Sequence, residues 1–271
     1  MSSTEAITPD AATELARGID FRVADRVVVI TGGAQAIGRE YARQFAAAGA
    51  IPVIADINEE KATEVVAEIE GRGGRALAVP TDVAEVASVD AMAEAVLQKY
   101  GRIDALVNNA AIFTTLRMRK FYDIPLEEWD RVMRVNATGP FLTARAVAPA
   151  MREAGWGRIV NISSDSIVQG APNYLHYVSS KSALLGMSRA MATELGEFGI
   201  TVNTVFPGAT FTEIPRETID EAGKARVVAA QCIHRPQVPM DLVGLVVFLC
   251  TEAAQFITGQ GIAVDAGLTK R

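Results

Sequence analysis

The sequence contains few of the residues that build disulfide frameworks and metal sites. Among its 271 residues there are two cysteines, Cys232 and Cys250, and two histidines, His176 and His234. The cysteines lack the Cys-x-x-Cys spacing of a zinc or redox motif, and the histidines stand far apart in the chain. We therefore expect two reduced thiols, no disulfide and no metal site.

The chain also lacks a basic stretch and a long apolar run. Its 26 Lys and Arg residues are outnumbered by 32 Asp and Glu residues, which gives a net charge of −6 with both signs interspersed. Nucleic acids and anionic membranes attract basic surfaces, so neither is expected as a partner. The N-terminus has no basic start followed by an apolar segment, as a secretory signal would, so the expected location is the cytoplasm.

No linker rich in Pro, Gly or Ser divides the chain, and its length suits one large α/β domain. Residues 1–23 are predicted to be an N-terminal extension, and residues 24–271 the domain. Within the extension, Thr8 to Arg17 has the composition of a short capped helix, although a frayed segment is an equal alternative.

A glycine-rich turn follows the first predicted strand. Arg26 to Thr31 (RVVVIT) is an apolar run typical of a buried strand, and helical periodicity begins after the turn. Glycine lets the backbone approach a pyrophosphate, and a helix N-terminus supplies free N–H groups and a positive dipole end. The pattern predicts a dinucleotide site that includes Gly32, Gln35, Ala36, Ile37 and Gly38.

An acidic residue closes the second predicted strand. Ile51 to Ala55 is followed by Asp56, about 20 residues past the glycines, where a carboxylate binds the adenosine ribose and repels a 2′-phosphate. Neither Gln35 nor Ile57 beside it is basic, so the sequence favours NAD as the cofactor over NADP. The alternative is that Asp56 caps the following helix.

A hydroxyl, a phenol and an ammonium come together in the stretch from Gly157 to Gly186. Ser164 follows a buried strand, where open α/β sheets place ligands, and Tyr177 and Lys181 lie four residues apart on one face of a helix. A nearby ammonium favours the phenolate and makes Tyr177 a usable base. The alternative is a surface helix that carries Tyr and Lys by chance.

These patterns resemble the short-chain dehydrogenase/reductase family over about residues 24–268. Ser164, Tyr177 and Lys181 match its Ser and Tyr-x-x-x-Lys arrangement, and Thr31, Gly32 and Gly38 match its TGxxxGxG motif. Ala36 replaces the middle glycine, where a methyl group would crowd the cofactor. The resemblance implies an α/β, Rossmann-like, doubly wound parallel sheet of seven strands with helices on both faces.

The resemblance also implies roles for other residues. Asn136 would kink the long helix from Leu126 to Thr143 and hold a water that relays protons to Lys181, unless it merely satisfies a neighbouring backbone group. Asp82 would hold the adenine, or cap a helix near Ser88. The remaining cofactor contacts implied are Val83, Asn109, Ala110, Ala111, Pro207, Gly208, Thr210 and Thr212.

The resulting hypothesis is an NAD-dependent enzyme that interconverts a secondary alcohol and its ketone. Tyr177 would accept the hydroxyl proton, Ser164 would bind the same oxygen, and Lys181 would lower the Tyr177 pKa and hold the ribose. A charged, irregular lid is predicted over residues 210–238. An apolar and aromatic substrate pocket, without an obvious clamp for a carboxylate or phosphate group of the substrate, is expected from Phe113, Ile167, Val168, Tyr174, Phe206 and Phe211.

Alternatives remain for the substrate and for the assembly. GWGRIVNISS and FITGQGIAVDAG resemble segments of NAD-dependent aryl secondary-alcohol and pyridoxal dehydrogenases, which suggests an aromatic or cyclic alcohol. A 3-oxoacyl-thioester reductase, a sugar dehydrogenase and a non-catalytic NAD-binding regulator are the alternatives. The resemblance implies a homo-oligomer, a tetramer formed by the helices from Pro140 to Glu153 and from Tyr177 to Phe198.

Overall fold

The computed structural model describes residues 20–215 and 219–270. Their seven strands form one parallel sheet. The short helix expected between Thr8 and Arg17 lies outside the described residues. Most of the strands are short, buried runs of Val, Ile, Leu and Ala, as expected for a sheet covered on both faces. The strands are β1 Val27–Thr31, β2 Ile51–Asp56, β3 Leu77–Pro80, β4 Ala105–Asn108, β5 Gly157–Ile162, β6 Ile200–Pro207 and β7 Gly261–Val264.

Helices connect the strands and cover both faces of the sheet. They are α1 Ala36–Ala47, α2 Glu59–Glu70, α3 Val86–Tyr100, α4 Leu126–Met133, α5 Gly139–Ala154, α6 Ser166–Gln169, α7 Leu175–Leu195, α8 Glu221–Ala230 and α9 Met240–Leu249. Short 3₁₀ turns occupy Phe121–Asp123, Gly196–Phe198 and Glu252–Ala254.

Alternate residues of each strand face two separate hydrophobic clusters. Val28 and Ile30 of β1 pack with α1, α2 and α9, whereas Val27 and Val29 pack with α3, α5 and the C-terminal part of α7. This alternation follows from the two-residue repeat of a strand. The expected doubly wound architecture with helices on both faces is confirmed.

The strand order is β3-β2-β1-β4-β5-β6-β7. The chain therefore winds outward from β1 to β3, returns to β4 beside β1, and continues outward on the other side. Ligands of such sheets bind at the carboxyl ends of the strands where the winding reverses. Thr31 and Asn108 end the two strands at that point.

Two expected elements differ from the observed ones. The helix expected from Leu126 to Thr143 is interrupted, because the backbone of Arg134–Thr138 is π-helical and α5 begins at Gly139. The lid expected to be irregular contains the ten-residue helix α8, which Asp220 caps by accepting a hydrogen bond from the Gly223 N–H. Residues 216–218 of this lid lie outside the described residues.

In the part of the chain that the structure describes, no helix has the length and apolar character needed to cross a bilayer. The same residues contain no group of three or more His, Cys, Asp or Glu side chains that could hold a metal ion.

Candidate active site

The glycine turn between β1 and α1 is shaped by close backbone contacts. Gly32 has a φ of +63°, and a Cβ on it would lie 2.9 Å from the Cα of Ala110. A Cβ on Gly38 would collide with the carbonyl oxygen of Gly32. These two glycines let β1 pass directly into α1, which leaves the N-terminus of α1 at the carboxyl edge of the sheet.

Ala36 adopts a conformation that suits glycine. Its φ is +50°, in the left-handed region, where an L-residue other than glycine costs about 1–2 kcal/mol. Its N–H, the first of α1, donates to the Oε1 of Glu213 at 2.9 Å. An anionic group of the lid therefore occupies the positive end of this helix.

Asp56 supports the glycine turn and does not cap a helix. Its Oδ2 accepts from the N–H of Ala34 at 3.0 Å, and its Oδ1 accepts from that of Asn58 at 2.9 Å. The cap of α2 is Asn58, whose side chain accepts from the N–H of Lys61. The capping alternative for Asp56 is therefore wrong.

A basic residue lies near this end of the site, although neither Gln35 nor Ile57 is basic. The Nζ of Lys61 donates to the Oε1 of Gln35 at 3.0 Å, because the first turn of α2 approaches the glycine turn. The side chain of Ile57 is 74% exposed next to Asp56. Sequence reasoning missed Lys61 because it lies five residues beyond Asp56, in another element.

The end of β4 is joined to the glycine turn. The side-chain amide of Asn109 donates to the carbonyl oxygens of Thr31 and Gly32, both at 3.1 Å. The hydroxyl of Thr31 accepts from the N–H groups of Asn109 and Ala110. Ala111 follows at the cavity wall.

Asp82 stabilises a turn after β3. Its Oδ1 accepts from the N–H of Ala84 at 2.9 Å, and its own N–H donates to the hydroxyl of Ser88. The next helix, α3, begins at Val86 without a side-chain cap, so the capping alternative for Asp82 is wrong. Val83 is buried beside Gly139.

Ser164, Tyr177 and Lys181 line one cavity of about 430 Å³. Ser164 lies two residues past β5, and α7 carries the other two side chains on one face. All three are buried, Lys181 to 3% exposure. This arrangement agrees with the sequence analysis, which predicted that these residues meet at the carboxyl edge of the sheet.

The ammonium group of Lys181 has little contact with water. Its Nζ donates to the carbonyl oxygen of Ile162 at 2.7 Å and lies 6.0 Å from the centroid of the Tyr177 ring. Burial lowers the pKa of Lys181 to about 7, because the charged form loses hydration. Lys181 therefore loses its charge at a lower pH than an exposed lysine does.

Asn136 lies in the π-helical segment and holds the loop that follows β4. Its Oδ1 accepts from the N–H of Ile112 at 2.7 Å, and its Nδ2 donates to the Ile112 carbonyl oxygen at 3.1 Å. The same Nδ2 donates to the hydroxyl of Ser180 on α7. Asn136 thus satisfies a neighbouring backbone group and also links the interrupted helix to the helix that carries Tyr177 and Lys181.

The C-terminal side of the cavity comes from the last residue of β6 and the segment that follows it. Pro207, Gly208 and Thr210 line the cavity, and the hydroxyl of Thr210 donates to the carbonyl oxygen of Gly208. Thr212 does not line it, but faces an adjoining cavity of about 200 Å³, and its hydroxyl accepts from the N–H of Ile214.

Only some of the residues expected in the substrate pocket line the cavity. Phe113 lies 4.5 Å from Tyr177 and 5.8 Å from Tyr174 between ring centroids, and all three line the cavity. The other expected members do not. Ile167 and Val168 on α6 are not part of its lining, Phe211 lines the adjoining cavity, and Phe206 is fully buried in β6.

The pocket also contains polar side chains that the sequence analysis missed. Asp165, Ser166 and Gln169 line it, so the lining is less apolar than expected. Burial, and then the nearby carboxylate of Asp265, raise the pKa of Asp165 to about 6. The sequence signal that could have indicated this polar wall is the position of Asp165 directly after Ser164.

Comparison with known proteins agrees with this geometry. A family model described as enoyl-(acyl carrier protein) reductase matches residues 32–269. The chain is 37% identical over 249 residues to the cyclopentanol dehydrogenase of Comamonas sp. (strain NCIMB 9872), covering 92% of this chain and 98% of that protein. The chain belongs to the short-chain dehydrogenase/reductase family.

Other short-chain dehydrogenase/reductase proteins are similar over nearly the whole chain. The L-rhamnose 1-dehydrogenase (NAD(P)(+)) of Azotobacter vinelandii (strain DJ / ATCC BAA-1303) is 35% identical over 250 residues, covering 90% of this chain and 96% of that protein. The structure of a 7α-hydroxysteroid dehydrogenase complexed with NADH and 7-oxo glycochenodeoxycholic acid has a TM-score of 0.86 at 34% identity, covering 91% of this chain and 95% of that one.

These relatives are dehydrogenases that act on alcohol groups, and the family uses NAD or NADP. The expected family, fold and reaction class, an oxidoreductase acting on CH–OH groups, are thereby confirmed.

Proposed function

We propose that this protein interconverts a secondary alcohol and its ketone, with NAD(H) as the cofactor. The observation that carries the proposal is that Ser164, Tyr177 and Lys181 line one cavity beside the N-terminus of α1. A cyclic or aromatic substrate is supported by the Phe113, Tyr174 and Tyr177 rings and by the cyclopentanol and hydroxysteroid dehydrogenases among the relatives.

The residues present fit a dinucleotide. Gly32 and Gly38 leave no side chain at the turn, and the N–H of Ala36 already binds a carboxylate where a pyrophosphate would lie. Asp56 would hold the adenosine ribose, and its charge favours NAD over NADP. The segments 109–111 and 207–212 would border the nicotinamide, which accepts a hydride from the carbinol carbon when bound.

The chain's own residues perform the proton chemistry. The phenolate of Tyr177 accepts the hydroxyl proton of the alcohol, while the Ser164 hydroxyl donates a hydrogen bond to the same oxygen. Lys181, one helical turn away, favours the phenolate when it is charged. The link from Asn136 through Ser180 keeps α7 in register with the loop at Ile112.

The proposal is tested by following NADH absorbance with a panel of secondary alcohols. Tyr177→Phe should lose most of the turnover, by about 10²-fold or more, and should retain NADH binding measured by fluorescence. Tyr174→Phe removes a phenol from the same cavity and should keep most of the turnover. Wild-type turnover in Tyr177→Phe would contradict the proposal, and NADH binding without turnover of any alcohol would favour the regulator.

A sugar dehydrogenase is the second candidate, because Asp165 and Gln169 give the cavity a polar wall and a rhamnose dehydrogenase is among the relatives. The 3-oxoacyl-thioester reductase is less favoured, since such reductases usually take NADPH and Asp56 opposes a 2′-phosphate. Activity on free sugars that exceeds activity on cyclic alcohols would establish the second candidate.

The proposal includes a homotetramer that forms through α5 and α7. Phe141 on α5 and Leu175 on α7 are 48% and 43% exposed, and apolar surface of this kind supports association of subunits. Light scattering should give four chain masses, and a single chain mass would contradict this part of the proposal.

A further inference from the structure

One part of the cavity wall is polar, and it begins next to the catalytic hydroxyl. Asp165 follows Ser164 directly, is 5% exposed, and lines the cavity together with Ser166 and Gln169. The Nε2 of Gln169 donates to the Oδ2 of Asp165 at 2.7 Å. The Ser164 hydroxyl is close enough to the Asp165 carboxylate to act on its ionisation.

This carboxylate has no cationic partner among the described residues. Within residues 20–215 and 219–270, no Lys, Arg or His forms an ion pair with Asp165, and its donors are neutral: the Gln169 amide at 2.7 Å, together with the Ser164 hydroxyl and the Ser166 N–H. A carboxylate accepts about four hydrogen bonds when it is ionised. A buried anion with neutral donors alone is destabilised, and a ligand that supplies a further donor would stabilise it.

Two neighbouring groups, the Asp265 carboxylate and the Ser166 hydroxyl, differ from each other in their hydrogen bonding. The Asp265 carboxylate accepts from the N–H groups of Gly267 and Thr269 and from the Thr269 hydroxyl, so its hydrogen-bonding needs are met. The hydroxyl of Ser166 is buried and has no hydrogen-bond partner. The buried hydroxyl without a partner therefore lies at the cavity wall, at Ser166, next to the Asp165 carboxylate that has no cation beside it.

We propose that Asp165 determines substrate specificity by accepting a hydrogen bond from a second hydroxyl of the substrate, on the carbon next to the one that reacts. This inference rests on the proposed function. Ser164 binds the reacting oxygen, and Asp165 is its neighbour, so the two oxygens of a vicinal diol, one carbon–carbon bond apart, match the two side chains. The preferred substrate class is a cyclic vicinal diol.

A hydroxyl fits this position better than a charged group. An anionic substituent would be repelled by Asp165 and Asp265 together. An ammonium would satisfy Asp165 but cannot accept a hydrogen bond from Ser166, whereas a hydroxyl donates to one and accepts from the other.

The test compares cis-cyclohexane-1,2-diol with cyclohexanol, which differ by one hydroxyl. The wild type should favour the diol in kcat/KM by about tenfold or more, because a site built to bind a hydroxyl rejects the analogue that lacks it. Asp165→Leu should bring this ratio close to one, and Asp165→Asn should keep part of it through its amide oxygen. Asp130→Leu, at an exposed acid on α4, is the matched control and should keep the wild-type ratio.

A binding measurement separates this inference from the proposed function. Calorimetric titration of each alcohol into protein saturated with NADH should show tighter binding of the diol, and this difference should vanish in Asp165→Leu whether or not the protein turns the alcohols over. Equal losses for both alcohols in Asp165→Leu would mean that Asp165 only positions Ser164, and would overturn the inference. A preference for 2-aminocyclohexanol over the diol would overturn it as well, while failure of the whole alcohol panel would overturn the proposed function alone.

Discussion

The carboxylate of Glu213 accepts a hydrogen bond from the backbone N–H of Ala36 at 2.9 Å, although 177 positions separate the two residues. The N-terminus of α1 is where a pyrophosphate would be bound, because its first N–H groups have no carbonyl partner within the helix and the helix dipole is positive there. Glu213 thus places a negative charge at the position that the proposed cofactor needs, so we expect the Glu213 side chain to move aside when the cofactor binds.

Removing this charge should strengthen cofactor binding. We expect Glu213→Gln to lower the Kd for NADH several-fold, because the pyrophosphate no longer competes with a like charge. The gain should shrink as salt is added, since the site is exposed and screened. Glu221→Gln changes an acid on the same lid that has no contact with α1, and fluorescence titration should show it binding NADH like the wild type. Weaker NADH binding by Glu213→Gln would mean that Glu213 assists the bound cofactor.

Ala36→Gly should raise stability, in contrast to the loss expected if residue 36 had ordinary helical geometry. Glycine relieves a left-handed strain of about 1–2 kcal/mol, and the more flexible unfolded chain offsets about 0.4–1 kcal/mol of this. Denaturant unfolding should show a net gain of about 0.5–1 kcal/mol. Ala67→Gly, at an exposed site within α2, should lose about that much. Parallel losses in the two variants would contradict the strain at Ala36.

Cofactor choice should depend on Asp56 and Lys61 together. Asp56→Asn removes the charge that repels a 2′-phosphate. The Lys61 ammonium, which donates to Gln35 in the wild type, can then form an ion pair with this phosphate. The ratio of kcat/KM for NADP to that for NAD should rise by about tenfold or more. In Asp56→Asn combined with Lys61→Gln, most of this rise should disappear. If the double variant still prefers NADP as strongly, another residue recognises the phosphate.

Lys181→Met should stabilise the protein near neutral pH while it removes activity. Burial lowers the pKa of Lys181 to about 7, whereas an unfolded lysine titrates near 10.4. Between these values the unfolded chain binds a proton that the folded chain does not, so the lysine destabilises the fold by an amount that decreases as pH rises.

The melting temperature of Lys181→Met should therefore exceed that of the wild type most at about pH 7, and the difference should shrink towards about pH 10. Calorimetric scans across this range measure it. Lys99→Met, at an exposed lysine, is the control and should show no such trend. A difference that does not change with pH would mean that Lys181 stays charged when buried.

The fold was predictable because its signals are local and repeated. Valine and isoleucine runs between amphipathic segments indicate a parallel sheet, and the glycines of the first turn mark where strand passes to helix. The bounds of β1 and β2 differ from the predicted ones by one residue. No pattern in the residues encodes the π-helical segment at Asn136. Only the family resemblance predicted a kink in the helix at this position.

Contacts between distant segments account for what the sequence missed. Lys61 reaches Gln35 because α2 turns back towards α1, and Glu213 reaches Ala36 because the lid folds over the sheet edge. Periodicity and spacing describe neighbours along the chain, so they carry no information on either pair. The polar wall at Asp165 was missed because the sequence favoured the apolar residues Ile167 and Val168, whereas Asp165, Ser166 and Gln169 are the residues of this segment that line the cavity.

The packing of α9 against α1 has a consequence for protein synthesis. One hydrophobic cluster contains Tyr41 and Phe45 of α1 together with Leu242, Val246 and Leu249 of α9. The apolar surface of the first half of the chain is therefore covered by one of the last helices to be synthesised. A ribosome must add some 200 residues before that apolar surface is covered. The nascent chain therefore exposes it throughout most of translation, and a truncation before α9 should yield aggregation-prone polypeptide rather than a smaller nucleotide-binding protein.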